Sequence, residues 1–338
     1  MPSMKHKRQH IVPNCYLSAW VDPVTPAGQQ RALWRFAKDG TGKHRRSPKK
    51  TFVESDRYTV LMKNGERDLR VEHTLDKIEN DFSAVLRRLQ RREQLTVRDK
   101  AKLAIFTAAM LGRTKRRADH WKDIWRDLRC TVSQFEGDGG GDQASGSLPQ
   151  DAPLPPGAVR VSVKEIDEFL VNSHPEYLTN TIEISAPMLF AMDLSIFSTD
   201  DEVGFLTSDE PCILDNPTAY RYHPMMRGVG LLQRDAQVML PLSPTLLMAF
   251  THKRTYPFIT PVTADVLDQF NQMTVWHAKE EIVSRRSEIR QEWFTVPRAS
   301  LPDAWENRPK DDTENMLNQF ETLQGPEMLG DEEQLWPD

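Results

Sequence analysis

The stretch Leu103-Ala-Ile-Phe-Thr-Ala-Ala-Met-Leu111 decides the fold class. Thr107 is its one polar side chain, so a helix here has no polar face and belongs in the centre of the molecule. Thr96, with Asp99 three positions later, has the pattern of a capping box and starts that helix at Val97. The spacing carries it beyond Leu111, with Arg129 as its furthest extent. On the N-terminal side, Leu75, Ile78, Phe82, Val85, Leu86 and Leu89 recur at steps of three and four, one face of a helix that begins near Glu72. Still earlier, residues 30–36 read as a strand and Thr51–Tyr58 as its return, a hairpin around the Gly- and Lys-rich loop 40–50. On the C-terminal side, Val163–Leu178 and Ile182–Met192 read as helices, and β-type runs follow. Val203–Thr207 is expected to pair with Pro211–Leu214. Gln237–Leu240 is expected to pair with Leu246–Phe250 around Pro241, Ser243 and Pro244. A last helix begins near Thr263. The class is therefore α+β, a helical first half packed on a small antiparallel sheet from the second half.

The chain has 338 residues, 38% hydrophobic and 28% charged, with a net charge of −5. That length can bury a full core without a disulfide or metal, and the composition excludes a membrane protein and argues against global disorder. Residues 135–157 hold six of the sixteen glycines with four prolines and no apolar periodicity, a flexible insertion. The expected organisation is one α+β domain over 1–300 with that insertion, then an acidic, weakly structured tail over 301–338, with a short helix near Asn315–Leu323. Charge is uneven. Residues 1–50 carry eleven Lys/Arg against Asp22 and Asp39, and 301–338 carry eleven Asp/Glu against Arg308 and Lys310. Such ends are two solvated termini or surfaces for partners, self-association included. Cys15, Cys130 and Cys212 are odd in number and widely spaced, as free thiols of a reducing compartment are. The basic start leads into no apolar run of signal-peptide length, so a cytoplasmic protein with no membrane partner is expected.

No His-Glu-x-x-His, Gly-x-Ser-x-Gly, phosphate-loop or dinucleotide signature occurs. Other residues carry chemistry. His10 precedes Pro13, which fixes the chain direction before Tyr16 and Leu17, and an imidazole exchanges protons near neutral pH. The plainer role is a turn or backbone contact. Glu72, Asp76 and Glu79 line one helix side, where carboxylates serve a cation, acid–base work or merely solvent. Glu79 borders the apolar stripe and needs a partner. Arg113 extends the buried face of Phe106 and Met110, so a Glu79–Arg113 contact is expected, either as a brace or as an anion site. Residues 82–129 carry fourteen Lys/Arg against five Asp/Glu, with Trp121 and Trp125 beyond, a face for nucleic acid or a solvated basic surface. Ser208, Asp209 and Pro211 form a turn signal at a strand end. Asn271 lies among apolar neighbours and must find hydrogen bonds. His277 is not on the Asn271 face.

The order His-x-x-Pro-x-x-Tyr-Leu, a Glu-bearing helix, Gly-Arg-Thr, Thr-Ser-Asp-x-Pro and Pro-Leu-Ser-Pro resembles the largely bacterial domain of unknown function 4238, over about residues 10–285. The resemblance places matching positions at His10, Pro13, Tyr16, Leu17, Glu79, Arg113, Ser208, Asp209, Pro211, Pro241 and Asn271. This chain departs from it at Glu210, where Asn is common, and at Asn14-Cys15. The family lends fold and site location but no reaction.

Two function classes follow. One is a hydrolase, nucleic acid among its substrates, in which His10 is the general acid or base and Asp209 orients it or binds a metal. Ser208 is the third catalytic candidate, and Arg113, Asn271, Glu79 and Tyr16 hold substrate. The other is a non-catalytic binding or regulatory module, for instance in bacterial stress or defence. No cofactor and no particular metal can be named from these residues.

Overall fold

A computed structural model of the chain describes residues 8–25, 28–62, 66–137, 162–219, 230–252 and 259–294. Most of the 135–157 insertion, the 301–338 tail and the short helix expected at Asn315–Leu323 lie outside the described residues. Met1–Thr295 form one compact unit.

The chain enters as β1 (Arg8–His10), turns at Pro13 into α1 (Asn14–Leu17) and passes through a 3-10 turn at Ser18–Trp20. Strands β2 (Leu33–Ala37), β3 (His44–Arg46), β4 (Val53–Ser55), β5 (Val60–Leu61) and β6 (Arg67–Asp68) follow. The expected strand at 30–36 is β2, but its hairpin partner is β3, inside the segment read as a loop. The turn closes early, through Gly40 N–H to the Ala37 carbonyl and Ala37 N–H to that of Thr41. Strand β4 is thereby released to pair antiparallel with β1, His10 opposite Val53.

Helix α2 (Arg70–Gln90) buries Leu75, Phe82, Val85, Leu86 and Leu89, the stripe read from the sequence. Helix α3 (Val97–Arg113) starts at the expected capping box. Thr96 Oγ1 accepts the Asp99 N–H at 3.2 Å, and Asp99 Oδ2 accepts the Thr96 N–H at 2.8 Å. From Leu103 to Arg113 every α3 residue except Ile105 is buried, so the helix without a polar face is indeed central. The expected extension to Arg129 is interrupted. Thr114 is extended, and α4 (Lys115–Gly137) starts anew after it. The two helices read at 163–178 and 182–192 are one, α5 (Val163–Ala191), with Pro175 and Pro187 inside it. It lies close against α3 at Gly112, where a Cβ would come within 2.8 Å of Leu178 Cδ1.

The second half supplies β7 (Asp193–Ser198), β8 (Thr207–Ser208), β9 (Ile213–Asp215), β10 (Gln237–Ser243), β11 (Leu246–Thr251), β12 (Thr260–Pro261), α6 (Ala264–His277) and β13 (Glu281–Ser284). A five-stranded sheet has the order β12-β7-β11-β10-β9, and a four-stranded sheet the order β3-β2-β13-β8. The β10–β11 hairpin is the expected one. The expected pairing of 203–207 with 211–214 is not formed: β8 joins β13 and β9 joins β10, in different sheets. One continuous apolar cluster runs from Tyr16, Leu17 and Trp20 through α2 and α3 to Val238, Leu240 and Met248, so the helices do pack on the second-half sheet. Within it, Phe82 and Phe106 stack with centroids 3.7 Å apart. The architecture is α+β.

Gly204 stands where β8 is approached. Its φ is +72°, and a Cβ there would run into the Pro244 carbonyl, which accepts the Phe205 N–H at 2.8 Å. Both strain and clash act on a backbone that cannot yield. Gly204→Ala is expected to cost about 3 kcal/mol or more, read from chemical denaturation midpoints, with Gly230→Ala, where a Cβ meets nothing, as the near-neutral control.

Candidate functional site

The site is built from β1, the middle of α2 and the end of α3. β1 carries His10. α2, held by its buried stripe, carries Glu79 on its border. α3, central because it has no polar face, ends on Arg113. Arg113 is buried, and its guanidinium donates to Glu79 Oε1 at 2.6 Å, the contact the sequence predicts. It also lies 5.4 Å from the Tyr58 ring centroid, so the cation faces both a carboxylate and an aromatic face. The Tyr58 hydroxyl donates to the His10 carbonyl at 3.1 Å. Cys15 Sγ lies 3.8 Å from Glu79 Oε2.

His10 is the titrating group of the cluster. Burial holds its imidazole below the ordinary value of 6.5, a pull increased by Arg113 and opposed by Glu79 and by the Pro48 and Lys49 backbone. The ring is thus a neutral base at pH 7, and its buried Nε2 has no hydrogen-bond partner among the described residues. Burial, then the Glu79 charge, pushes the Cys15 thiol up to about 12, so it is not a thiolate nucleophile at neutral pH.

The other candidates are occupied by hydrogen bonds within the fold. Both Asp209 oxygens accept backbone N–H groups: Lys279 at 2.9 Å on Oδ1, and Glu280 at 2.7 Å and Glu281 at 3.3 Å on Oδ2. Burial nonetheless raises its carboxyl above the ordinary value. The Ser208 hydroxyl accepts the Glu210 N–H at 3.1 Å. Glu210, the departure from the usual Asn, accepts the Arg116 N–H at 2.9 Å in the first turn of α4. Asn271 is fully buried. It accepts from Leu206 N–H at 2.8 Å and donates to the Gly204 carbonyl at 3.0 Å. The Tyr16 hydroxyl is in the core, 2.8 Å from Thr207 Oγ1. The structure brings His10, Glu79 and Arg113 together, while Ser208, Asp209, Asn271 and Tyr16 each make hydrogen bonds of their own. Nor do the three carboxylates of α2 act as one group: Glu72 accepts from the Gln9 amide at 3.2 Å while Glu79 takes Arg113. Among the described residues no group of three His, Cys, Asp or Glu side chains could hold a metal ion.

The basic run over 82–129 is partly neutralised by acids inside it and beside it. Arg88 pairs with Glu93 and Asp99, Arg91 with Glu93 at 2.7 Å, Lys102 with Asp81 at 2.9 Å and Arg129 with Asp167 at 2.5 Å. No described helix is long and apolar enough to cross a membrane.

Sequence reasoning missed Tyr58, Arg57 and His174. The Arg57 guanidinium donates to the Arg113 carbonyl at 3.0 Å and so satisfies the end of α3. His174, on α5, lies with its ring 5.4 Å from that of Tyr58, and neither ring nitrogen has a partner. No spacing or motif marks these residues, because each is set by tertiary neighbours.

Two outcomes follow. Removing Arg113 strands Glu79 and the Tyr58 face. Arg113→Met is expected to cost about 3 kcal/mol, and Glu79→Gln in that background to recover part of it, read as the coupling energy of a double-mutant denaturation cycle. Burial, with Arg57, Lys122 and Arg113 adding to it, holds His174 well below its ordinary 6.5. The unfolded chain takes up the proton first, so stability is complete above about pH 6.5 and declines as pH falls toward the folded value. His174→Leu is expected to flatten the acid side of a stability-versus-pH curve by up to about 1.4 kcal/mol per pH unit.

No curated protein and no solved structure matches the chain. Residues 8–288 match the family described as "Protein of unknown function (DUF4238)". That span takes in β1 through β13 and all three residues of the cluster, and the chain belongs to this family.

Proposed function

We propose that the His10–Glu79–Arg113 cluster is an acid–base site, and that the chain is a hydrolase of a substrate carrying a carboxylate or phosphate. The observation that carries this reading is the His10 imidazole, neutral and with a buried Nε2 that has no hydrogen-bond partner among the described residues. In this role Nε2 takes the proton of an attacking water, Arg113 holds the substrate's negative charge, and Glu79 keeps the guanidinium in place. His10, Cys15 and Glu79 are each partly exposed, but Nε2 itself is buried, so in this reading the site opens to admit water. The ion pairs made by the basic side chains of 82–129 weigh against nucleic acid as the substrate class.

A second reading, a non-catalytic binding or regulatory module, is favoured by the engagement of Ser208, Asp209 and Asn271 in backbone hydrogen bonds. An unbiased screen of ester, amide and phosphoester substrates with divalent cations separates the two. For the hydrolase, His10→Ala lowers kcat/KM by about 10²-fold or more, and the acidic limb of the wild-type profile lies below pH 6.5, the ordinary value from which burial moves His10 down. Turnover that survives His10→Ala defeats the assignment.

A further inference from the structure

An open cleft of about 240 Å³ lies on a different set of residues from the His10 cluster, between the β3–β4 segment and the 279–281 turn. Ile11, Phe52 and Val53 give it apolar lining, and charged side chains ring it. Three of its four acids are answered. Glu281 pairs with Arg35, Glu54 pairs with Arg57 at 2.5 Å, and Asp209 accepts its three backbone N–H groups. Glu280 meets Lys115 only loosely, at 3.9 Å. Its cations are not all answered. Arg46 and Lys50 have no carboxylate partner among the described residues.

Arg46 is also pre-set. Its Nε donates to the Lys50 carbonyl at 2.9 Å across a turn that Pro48 stiffens, which anchors the guanidinium and leaves its terminal fork unused. Phe52, beside it, holds a left-handed φ of 50° and stacks under Arg35, with the guanidinium carbon 5.4 Å from the ring centroid. A non-glycine residue in that conformation is strained, and strain of this kind concentrates at binding sites. The first turn of α4 is not the attraction, because Glu210 already takes the Arg116 N–H.

We propose that this cleft binds a small molecule through a phosphoryl group, held by the Arg46 fork, Lys50 and Lys115. A carboxylate has one charge and two oxygens, which the Arg46 fork alone would satisfy. Three cations approaching from β3, the Pro48–Lys50 turn and the start of α4 suit a dianion with three terminal oxygens. The volume takes a small phosphomonoester and not a duplex. The proposal rests on neither reading of the His10 site.

The test is isothermal titration of the full chain with inorganic phosphate and with glycerol 3-phosphate, at matched ionic strength, with acetate as the carboxylate probe and double-stranded DNA as the polymer probe. Saturable binding of both phosphates is expected, at least 10-fold tighter than acetate. Arg46→Gln and Lys115→Gln, both solvent-facing, should each weaken it about 10-fold with unchanged melting temperature, whereas Arg98→Gln on the exposed side of α3 should not. If one variant melts early, the other decides. Phosphate binding no tighter than acetate, binding indifferent to both cleft variants, or a preference for DNA would each overturn the proposal.

Discussion

A guanidinium at the end of a helix that has no polar face must be neutralised where it stands. That constraint organises the N-terminal half of this protein. α3 is central because its residues leave it no alternative, and it delivers Arg113 into the interior. A lone buried cation costs several kcal/mol, so α2 must present Glu79 at that level and the 57–58 segment must present Tyr58. Once these are in place, the register of α2 against α3 is fixed, and β1 is drawn in beside them through the Tyr58 hydroxyl and the Gln9 side chain. His10 comes to the ion pair as a consequence of how the pair is satisfied.

The elements that were legible in the sequence are those whose determinants are local. The capping box at Thr96–Asp99, the stripe from Leu75 to Leu89 and the β10–β11 hairpin each carry their cause within a few residues. The Glu79–Arg113 pair was legible for a related reason: two charges on apolar stripes of adjacent helices have few ways to avoid the cost of burial. Strand partners were not legible. β3 sits in a Gly- and Lys-rich segment whose three strand residues are all exposed, and β8 reaches across the chain to β13, which has no strong pattern of its own. The continuity of α5 through Pro175 and Pro187 was hidden too, since proline within a helix is penalised locally and tolerated only when packing compensates, as α3 and α4 do here. Site residues divide the same way. Asn271 and Asp209 read as reactive because they are polar in apolar or turn contexts, and those contexts use them up: Asn271 bridges to the 204–206 backbone, and Asp209 gathers the N–H groups of the turn before β13.

The two polar regions differ in how charge is balanced. Around Arg113 the positive charge meets a carboxylate at 2.6 Å and an aromatic face, and a neutral imidazole nitrogen is one of the groups left without a partner among the described residues. Such a place favours proton transfer, because low dielectric amplifies small changes in protonation. In the cleft three of the four acids are engaged, and Arg46 and Lys50 face solvent with no carboxylate partner among the described residues. Such a place favours reversible binding of an anion, because the cations lose little hydration until a ligand replaces it.

One segment builds both. Between Pro48 and Tyr58 the chain gives its backbone to the His10 ring, its Phe52 side chain to the cleft, β4 to the pairing with β1, and Arg57 and Tyr58 to the end of α3. Two non-glycine residues in it, Phe52 and Asp56, hold left-handed φ values of 50° and 56°. Each costs of order 1 kcal/mol, and each is held by a contact outside the segment: Phe52 by the core and by Arg35, Asp56 by Arg67. A regular strand would have avoided this cost, yet it could not place Arg57 and Tyr58 on α3 and Phe52 under Arg35 within six residues. The kinks are therefore what allows one short stretch of chain to serve a sealed ion pair on one side and an open cationic cleft on the other.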